Sequence, residues 1–244
     1  MQRFFVDPRA IQEGQVSFTR EQSHQLAKVL RLHDGDDVLV LDGRGYCHQV
    51  CLTEVSPAYA TGIITTTTMA SGEPKLRLVL FQALLRGQKL DYVLQKGTEL
   101  GIAAFVPVLC QRSVSRPTPA QVGSKLGRWQ AIVREAAEQS GRGVLPEVHP
   151  PVAWEEACQR REGLAVLAYE GEKTQSLRGV LSAAPVPVAV SLYIGPEGGL
   201  TTEEVTYARG CGIRSVGLGD RILRAETAGV AAAAAICYEY GVMG

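Results

Sequence analysis

The sequence predicts an α/β protein with a mainly parallel sheet covered by helices, preceded by a smaller β-rich unit. After residue 73, short apolar segments typical of buried strands alternate with amphipathic helical segments, which is the pattern of a parallel sheet with helices on both faces. The residues before it contain several strand-like segments and a single helical one. Between these regions lies MASGEP, a polar linker with glycine and proline, which places a domain boundary near residue 73.

The small unit opens with RFFV, a strand-like segment near the amino terminus. In the following TREQSHQLAKVLRL, Thr19 is suited to cap a helix, and the apolar residues between positions 26 and 30 have helical spacing. DDVLVLDGRGYCHQVCLTEV predicts two strands joined at the Asp-Gly turn of residues 42–43, and the β-branched ATGIITTTT predicts a further strand. These elements define a predicted domain of residues 1–73.

The larger unit, residues 74–244, contains the alternating pattern. Buried strands are predicted by LRLVLFQALL, AAFVPVL, LAVLAYE, PVAVSLYIG and GIRSVGL. Helices are predicted by GQKLDYVLQKGTELGI, by residues 120–140 around Trp129, and by the alanine-rich ETAGVAAAAAICYEYG. Because these strands are separated by helical segments, we expect most of them to pair in parallel.

The composition is that of an ordinary globular protein, with 244 residues of which 45% are hydrophobic and 20% are charged. No run of about 18 apolar residues is present, so no membrane span is expected. The beginning of the chain lacks the apolar run of a secretory signal, and we expect a cytoplasmic protein. The cysteines at 47, 51, 110, 158, 211 and 237 form no Cys-x-x-Cys pair, which indicates reduced thiols rather than a metal site.

The formal net charge of zero conceals an asymmetry along the chain. Residues 1–73 carry 6 basic and 9 acidic side chains, residues 74–150 carry 11 and 5, and residues 151–244 carry 8 and 11. The middle segment is therefore basic. A basic face in an otherwise neutral protein permits a polyanionic partner, and random clustering of charges is the alternative.

Three of the predicted strands run into unusual loops. The strand LAVLAYE ends in AYEGEK, the strand PVAVSLYIG ends in IGPEGGL, and the strand GIRSVGL ends in GLGDRILRAETAG. Ligands of open parallel sheets bind beyond the carboxyl ends of the strands. If the three strands are neighbours, their loops surround a single pocket.

The glycine-rich loop IGPEGGL opens a helix, because Thr201 and Glu204 form a T-x-x-E capping box immediately after it. Glycine permits a positive φ and close approach of a ligand to the backbone. The spacing G-x-x-G-G matches neither the dinucleotide-binding nor the P-loop pattern, which argues against a phosphate site. A bare tight turn and a ligand contact both remain open.

The third loop places charged residues around the apolar pair Ile222 and Leu223. Such an apolar wall suits a flat organic ring better than a phosphate. Glu226 belongs to the predicted first turn of the last helix, where the helix dipole favours a carboxylate. Arg224 is able to pair with Glu226 or to reach a ligand, and an ordinary helix cap with a surface ion pair is the alternative.

The motifs IGPEGGLTTEEV and LGDRILRAETAG together resemble the RsmE family of ribosomal RNA methyltransferases in the SPOUT superfamily. The resemblance extends to QKGTELGIAAFVPVLCQRSV and EAAEQSGRGVLPEV. The segments RFFV and HQLAKVLRLHDGDDVLVLDGRG are similar to the PUA-like RNA-binding domain of this family. The resemblance covers nearly the whole chain, and AYEGEK is its least distinctive segment.

The resemblance implies a fold and a reaction. Residues 1–73 are expected to form a PUA-like β-barrel, and residues 74–244 a SPOUT domain with a deep C-terminal trefoil knot. S-adenosylmethionine is the expected methyl donor, S-adenosylhomocysteine its product, and no metal is expected. The implied reaction is methylation of N3 of a uridine in 16S ribosomal RNA, within a small-subunit particle, by a homodimer whose active site lies near the subunit interface.

The resemblance and the three loops predict the same cofactor site. The first loop is expected to form one wall, with Glu170 available to the ribose hydroxyls or the amino group. The glycine turn is expected to offer its backbone to the cofactor, and the third loop to enclose the adenine. The predicted cofactor-binding residues are Leu167, Ala168, Tyr169, Glu170, Ile194, Gly195, Pro196, Gly199, Leu218, Gly219, Ile222 and Leu223.

The chemistry implied by the resemblance predicts the catalytic residues. N3 of uracil must lose its proton as the methyl group arrives, and negative charge then builds on the ring oxygens. Arg224 is the candidate that stabilises this charge. Glu226 or Glu197 is the candidate base, and orienting Arg224 is the alternative role of either carboxylate.

RNA binding is predicted to involve basic residues of both regions. His24, Lys28 and Arg31 have helical spacing and are expected to share a face. For each single residue, a solvated surface charge is the alternative. The predicted RNA-binding residues are Arg3, Arg20, His24, Lys28, Arg31, Arg86, Lys89, Lys96, Arg112 and Arg142.

Two rival functions remain open at the level of sequence. One is methyl transfer by the same architecture to a ribose 2′-hydroxyl or a guanine nitrogen. The other is a nonenzymatic RNA-binding factor of ribosome assembly. Binding of S-adenosylmethionine separates an enzyme from an assembly factor.

Overall fold

The computed structural model describes residues 1–183 and 185–243, and the chain forms two compact units. The first unit contains residues 1–73 and 137–145, and the second contains residues 74–136 and 146 onward. The division at residues 73 and 74 lies in the predicted linker. The segment 137–145, however, was assigned from the sequence to the larger domain, and the structure places it with the first unit.

The segment 137–145 belongs to the first unit because it packs and pairs there. Ala137 and Leu145 pack against Phe5 and Leu41 in a small hydrophobic cluster. Within the same unit, the Arg142 guanidinium donates hydrogen bonds of 3.2 and 2.8 Å to the Glu73 carboxylate. Glu73 and Arg142 are about seventy positions apart in the chain, so local sequence patterns cannot predict their pairing.

The first unit is built on a mixed sheet of six strands in the order β1-β4-β5-β6-β3-β2. The first strand pairs in parallel with β4, and the remaining pairs are antiparallel. Its strands are β1 (Arg3–Phe5), β2 (Ile11–Gln12), β3 (Gln15–Ser17), β4 (Asp37–Leu41), β5 (Tyr46–Val55) and β6 (Ala60–Met69). Their inward side chains, including Phe4, Val38 and Val50, form the core of this unit.

The helix of the first unit begins as predicted but ends early. Thr19 caps α1 (Arg20–His24) in a capping box with Gln22. The chain continues as a π-helical turn over Gln25–Val29, and Arg31 has a φ of 56°. The predicted common helical face of His24, Lys28 and Arg31 is therefore wrong for Arg31, because a residue in the left-handed region no longer follows the helix.

The second unit contains a parallel sheet in the order β10-β8-β7-β12-β11-β13, with β9 also paired to β8. Its strands are β7 (Arg77–Ala83), β8 (Ala104–Leu109), β9 (Glu147–Val148), β10 (Val152–Ala153), β11 (Leu164–Ala168), β12 (Ala189–Ile194) and β13 (Arg214–Val216). The predicted α/β class with a mostly parallel sheet is confirmed.

Helices accompany this sheet. They are α2 (Lys89–Glu99), α3 (Pro119–Ser140), α4 (Trp154–Gln159), α5 (Leu177–Ser182), α6 (Thr202–Gly210) and α7 (Ala225–Glu239). The predicted capping box precedes α6, where Thr201 and Glu204 bond each other's backbone N–H groups. The alanine-rich α7 packs against α2 and β12, because its small side chains allow close approach.

An aromatic group organises the core of the second unit. The rings of Phe81 and Tyr193 are stacked with centroids 4.3 Å apart, and Trp154 meets Tyr193 edge-on. The Tyr193 hydroxyl donates a 2.9 Å hydrogen bond to the Ala157 carbonyl, and burial raises the pKa of this hydroxyl. An aromatic pair contributes about 0.5–1.5 kcal/mol beyond its buried area, so this group ties β7, β12 and α4 together.

None of the helices over residues 1–183 and 185–243 combines the length and the apolar character that a membrane crossing requires. The six cysteines are free thiols, and Cys110, Cys158 and Cys237 are buried. Burial raises the pKa of the Cys158 thiol to about 12, so this group is protonated at neutral pH.

Candidate functional site

The carboxyl ends of three neighbouring strands meet at one edge of the second sheet. Strand β11 lies between β12 and β13, and Ala168 at its end is in register with Ile194 and Val216. The predicted convergence of the three loops is therefore confirmed. The chain order β11, β12, β13 differs from the spatial order, and only the folded structure shows that β11 is central.

The three loops enclose a cavity of about 460 Å³, which lies within the range of small-molecule sites. Its walls combine glycine backbone, apolar side chains and charged groups. The lining residues are Lys89, Ala168, Tyr169, Glu170, Glu172, Lys173, Ile194, Gly195, Pro196, Glu197, Gly199, Leu200, Gly217, Leu218, Gly219, Asp220, Arg221, Ile222, Leu223, Arg224, Ala225 and Ala228.

The glycine turn after β12 is closely packed around Gly199. This residue has a φ of 71°, and a Cβ at its position would lie 2.8 Å from Glu170 Oε1. A side chain here would both strain the backbone and displace the carboxylate of the neighbouring loop. The glycine therefore serves the approach of Glu170, and its backbone also lines the cavity.

Two residues hold the glycine turn from outside the cavity. The Arg112 guanidinium donates a 3.2 Å hydrogen bond to the Gly198 carbonyl. Glu204, which caps α6, also accepts a 2.7 Å hydrogen bond from the Gln111 backbone N–H. The loop after β8 and the loop after β12 are thereby fixed to each other.

Glu172 fastens the first loop to β13. Its carboxylate accepts hydrogen bonds from the Ser215 hydroxyl at 2.6 Å and from the Thr174 hydroxyl and backbone N–H at 2.5 and 2.8 Å. Arg209 on α6 donates a further hydrogen bond of 3.0 Å. The Ser215 hydroxyl, followed by Thr174, lowers the pKa of Glu172 to about 2, so the carboxylate is ionised at neutral pH.

A lysine joins two carboxylates at the cavity wall. Lys89 Nζ, in the first turn of α2, lies 3.2 Å from Glu197 Oε1 on the glycine turn and 3.6 Å from Glu226 Oε2 on α7. Glu197 Oε1 also accepts a 3.1 Å hydrogen bond from the Arg86 backbone N–H. Glu226 Oε2 is buried and accepts no hydrogen bond from the described part of the chain. The ion pair between Arg224 and Glu226 that the sequence allowed is replaced by this arrangement.

Arg224 precedes α7 as its N-cap residue and has an extended backbone conformation. Its exposed side chain lines the cavity. Within residues 1–183 and 185–243, its guanidinium has no hydrogen-bond or ion-pair partner. This group is therefore available to an anionic or carbonyl-bearing ligand.

Comparison with known proteins places this site in a family. The family model described as an RNA methyltransferase domain matches residues 72–237. The chain belongs to this RNA methyltransferase family. It is 38% identical over 237 residues to the ribosomal RNA small subunit methyltransferase E of Synechocystis, covering 96% of this chain and 76% of the relative. It is 33% identical to the protein of the same name from Bacillus subtilis, covering 98% and 97%.

Solved structures of methyltransferases have the same fold over the whole chain. A ribosomal RNA small subunit methyltransferase E from Neisseria gonorrhoeae, bound to S-adenosyl methionine, superposes with a TM-score of 0.87 at 31% identity and covers 98% of this chain and 97% of its own. A Legionella pneumophila methyltransferase with bound cofactor gives 0.90 at 25% identity, with 98% and 97% covered. The resemblance to ribosomal RNA methyltransferases that the motifs predicted is confirmed by these matches.

The RNA methyltransferase cavity contains the predicted cofactor-binding residues with one exception. Leu167 has no exposed surface and packs in the core of the second unit, because alternate residues of β11 face opposite sides of the sheet. The remaining ones line the cavity: Ala168, Tyr169, Glu170, Ile194, Gly195, Pro196, Gly199, Leu218, Gly219, Ile222 and Leu223. Their binding of a cofactor remains a prediction.

The three predicted catalytic residues have different positions. Arg224 and Glu197 line the cavity, whereas Glu226 forms an ion pair with Lys89 and is not part of the cavity lining. The side chain of Glu226 is 14% exposed and that of Glu197 is 24% exposed. Of the two carboxylates, Glu197 is therefore the one that a ligand in the cavity can reach.

The predicted RNA-binding residues separate into exposed and engaged groups. Arg142 is 6% exposed and pairs with Glu73, which gives its guanidinium a structural partner within the first unit. Lys89 and Arg112 hold the cavity loops, and Lys96 pairs with Glu99. Arg112 is exposed although it is hydrogen-bonded, and the other exposed members are Arg3, Arg20, His24, Lys28, Arg31 and Arg86.

Sequence reasoning missed several cavity residues. Gly217, Asp220 and Arg221 stand inside the third motif and were left out of the predicted set, although the motif itself gave the signal. Glu172 and Lys173 stand inside AYEGEK, the least distinctive loop. The cavity position of Lys89 had no local signal, because its two carboxylate partners lie more than a hundred residues away.

Across the described ranges 1–183 and 185–243, no group of three or more histidine, cysteine, aspartate or glutamate side chains has an arrangement that could hold a metal ion.

Proposed function

We propose that this chain transfers a methyl group from S-adenosylmethionine to N3 of a uridine in 16S ribosomal RNA, in the cytoplasm. The observation that carries the proposal is the cavity formed by three loops at the carboxyl ends of β11, β12 and β13 in an RNA methyltransferase fold. Relatives at 33–38% identity are named small-subunit ribosomal RNA methyltransferases, and a related structure contains S-adenosyl methionine, which supports both substrate and cofactor.

The residues of the cavity fit this cofactor. Ile222 is 85% exposed at the cavity, and such an apolar surface gains from being covered by an adenine ring. Leu218 and Leu223 offer further apolar contact, and Glu170, which lines the cavity, is the proposed acceptor of hydrogen bonds from ribose hydroxyls or an amino group. When bound, S-adenosylmethionine supplies the methyl group and leaves as S-adenosylhomocysteine.

Arg224 has the role of stabilising charge on the target base. As N3 loses its proton, negative charge spreads to the uracil oxygens, and a guanidinium next to them lowers the energy of that state. Arg224 lines the cavity and its side chain is exposed there. Its extended N-cap backbone holds the side chain at the start of α7.

Glu197 is the proposed base for the N3 proton. It lines the cavity, and its Oε1 accepts hydrogen bonds from the Arg86 backbone N–H and from Lys89, which orient the carboxylate. Burial opposes ionisation of Glu197, but hydrogen bonds from the backbone N–H groups of Arg86 and of Glu197 itself, followed by Lys89, outweigh burial and hold the pKa below its usual range. A carboxylate that is ionised at neutral pH is in the form a general base requires.

Mass spectrometry of nucleosides tests the reaction. The purified protein is incubated with deuterium-labelled S-adenosylmethionine and with small ribosomal subunits or free 16S RNA that lack the modification. We expect labelled N3-methyluridine as the only new product. A labelled 2′-O-methyl nucleoside or methylguanosine would replace the proposal with the corresponding methyl transfer, and absence of cofactor binding in calorimetry would indicate an assembly factor.

We further infer that the second unit is threaded as a trefoil knot. The strand order supports this inference, because the chain passes from β11 to β12 on one side and then returns across β11 to β13 on the other. Mechanical unfolding by the two ends of the chain tests it. A knotted chain reaches a shorter final extension than its contour length, and full extension would show an unthreaded chain.

The first unit is proposed to be a PUA-like domain that binds RNA. Its six-stranded mixed sheet is compatible with such a domain, and Arg20, His24, Lys28 and Arg31 are exposed near its helix. Arg3 of this unit and Arg86 of the second unit are exposed as well and remain candidates for phosphate contacts.

A homodimer is proposed as the active assembly. In addition to the resemblance, the second unit exposes apolar side chains on and after α7, with Tyr238 75% and Met243 44% exposed. Light scattering coupled to gel filtration tests this proposal. The expected mass is twice the 26.2 kDa of the chain, and a single-chain mass at micromolar concentration would contradict it.

A further inference from the structure

Lys89 is placed where three elements of the second unit meet. It belongs to the first turn of α2, and its Nζ lies 3.2 Å from Glu197 Oε1 and 3.6 Å from Glu226 Oε2. Glu197 belongs to the glycine turn after β12, and Glu226 to the first turn of α7. A single ammonium group therefore connects the turn that lines the cavity with both helices beside it.

The two carboxylates depend on this ammonium group. Glu226 Oε2 is buried and accepts no hydrogen bond from the described residues, so Lys89 is the cation that compensates its charge. A buried charge without a counter-ion is strongly unfavourable. Two carboxylates near one site also repel each other, and a cation shared by both removes this repulsion.

We propose that Lys89 is a positioning residue of the methyl-transfer site, which holds Glu197 and Glu226 together and keeps Glu197 ionised for its work as base. This inference rests on the proposed function for the identity of the reaction. It replaces the phosphate contact that the sequence suggested for Lys89, because the positive charge of this side chain is already compensated by two carboxylates.

The electrostatic surroundings of Glu197 agree with this role. Burial opposes its ionisation, but the backbone N–H groups of Arg86 and of Glu197 itself, together with Lys89, outweigh burial, so the pKa of Glu197 is lowered. Removing the cation must raise that pKa. If the reaction needs the ionised carboxylate, activity is lost on acidification, and in the variant this loss occurs at a higher pH than in the wild type. The other charged groups at or near the cavity are Arg86, Glu170, Glu172, Lys173, Asp220, Arg221, Arg224 and Glu226.

The experiment compares Lys89→Met, Lys89→Arg and the control Arg128→Met. Arg128 pairs with Asp91, also in the first turn of α2, but neither residue lines the cavity. Single-turnover methylation is measured between pH 3 and 9 with saturating cofactor and RNA, because the lowered pKa of Glu197 puts the acidic limb of the wild type at low pH. In Lys89→Met, we expect the acidic limb of the rate profile to move up by about one to three pH units. In Lys89→Arg, which keeps the positive charge, we expect the acidic limb to lie close to its wild-type position. Arg128→Met is expected to leave the profile unchanged.

An acidic limb that stays in place in Lys89→Met overturns the inference. The salt dependence of RNA affinity is a second test of whether Lys89 positions Glu197 or contacts a phosphate. Loss of a positioning residue leaves the slope of log K against log salt unchanged. A slope reduced by about 0.7–0.9 indicates a phosphate contact instead and also overturns it. If Lys89→Met does not fold, the double variant Lys89→Met with Glu226→Gln removes the uncompensated buried carboxylate and is measured in its place.

The effect of Lys89 on the ionisation of Glu197 can be measured independently of the methylation reaction. Carbon-13 NMR of labelled glutamate follows the titration of Glu197 in the absence of RNA, with Glu197→Gln used to assign its signal. A titration that moves to higher pH in Lys89→Met supports the positioning role even if no N3-methyluridine is formed. A titration that does not move contradicts it, whatever the reaction is.

Discussion

Arg224 is the cavity residue whose removal separates binding from chemistry most clearly. It lines the cavity, and over residues 1–183 and 185–243 its guanidinium has no partner that its loss would leave uncompensated. We predict that Arg224→Ala lowers the single-turnover rate by about 10²–10³-fold, the usual effect of losing one donor to a developing oxyanion. Calorimetry is expected to show little change in the affinity for S-adenosylmethionine.

Arg214→Ala is the matched control for this prediction. Arg214 is exposed at the start of β13, and the cavity lies beyond the other end of that strand. Its substitution is expected to leave the rate unchanged. A full rate in Arg224→Ala would remove this residue from the chemistry, and an equal loss of cofactor affinity would reassign it to binding.

Glu197 gives a prediction that depends on pH. Glu197→Gln removes the base, and we expect the rate at neutral pH to fall by about 10²–10⁴-fold. As the pH is raised, uracil loses its N3 proton to solvent, so the rate of the variant is expected to climb toward that of the wild type. A variant rate that stays low and flat up to pH 9 would show that Glu197 does not act on the N3 proton.

Residue-level prediction was most successful where a motif marked a loop. The residues of IGPEGGL and GLGDRILRAETAG were expected at one pocket, and most of them line the same cavity. Prediction was least successful for long basic side chains, since Lys89 and Arg142 are paired with distant carboxylates. A sequence gives the charge of a lysine or arginine but not the partner that compensates it.

At the scale of elements, the loop after β11 depends on the carboxylate of Glu172. Its hydrogen bonds to Ser215 and Thr174 lower its pKa from 4.5 to about 2. A lowered pKa in the folded state stabilises the fold above the ordinary pKa, and this stabilisation is lost as the pH falls toward 2. We predict that Glu172→Gln unfolds at lower urea concentration than the wild type at pH 7, and that the difference shrinks between pH 4.5 and 2.

Tryptophan fluorescence measures this effect, because both tryptophans, Trp129 and Trp154, belong to the second unit. Glu155→Gln is the control, since Glu155 is exposed on α4. It is expected to unfold like the wild type at each pH. If the difference in unfolding urea concentration between Glu172→Gln and the wild type is constant from pH 7 to pH 2, ionisation of Glu172 does not stabilise the loop.

Elements were predictable where local signals agreed. The predicted helix cap at Thr19 and the predicted capping box at Thr201 both occur in the structure, and each predicted strand of the sheet in the second unit is present. The helix after Thr19 is shorter than its hydrophobic pattern suggested. The apolar spacing of residues 26–30 fits a wider π-helical turn as well, and Leu26 of this turn packs in the core of the first unit.

At the scale of the whole molecule, the exposed basic residues of the first unit predict a salt-dependent RNA affinity. Lys28 is exposed and belongs to the π-helical turn after α1. We predict that Lys28→Met weakens RNA binding and lowers the slope of log K against log salt by about 0.7–0.9, the value for one phosphate contact. Fluorescence anisotropy with a labelled fragment of 16S RNA between 50 and 300 mM salt measures the slope.

Arg9→Met is the control for this measurement. Arg9 is also exposed in the first unit, but Asp7 accepts two hydrogen bonds from its guanidinium, at 3.0 and 2.8 Å. Because its charge is compensated, its loss is expected to leave the slope unchanged. Equal slopes for Lys28→Met and the wild type would mean that Lys28 is an ordinary surface charge.

Four features were predictable from the sequence alone: the family, the alternation of strands and helices, the linker near residue 73 and the three loops that line the cavity. These features depend on residues close to one another along the chain, where periodicity and capping act. Three features became visible only in the folded chain: β11 is the central strand of the three, residues 137–145 belong to the first unit, and Lys89 lies between Glu197 and Glu226. Each of these depends on contacts between residues far apart in the chain, which are fixed by the order of strands in the sheets and by packing, and no local pattern encodes that order.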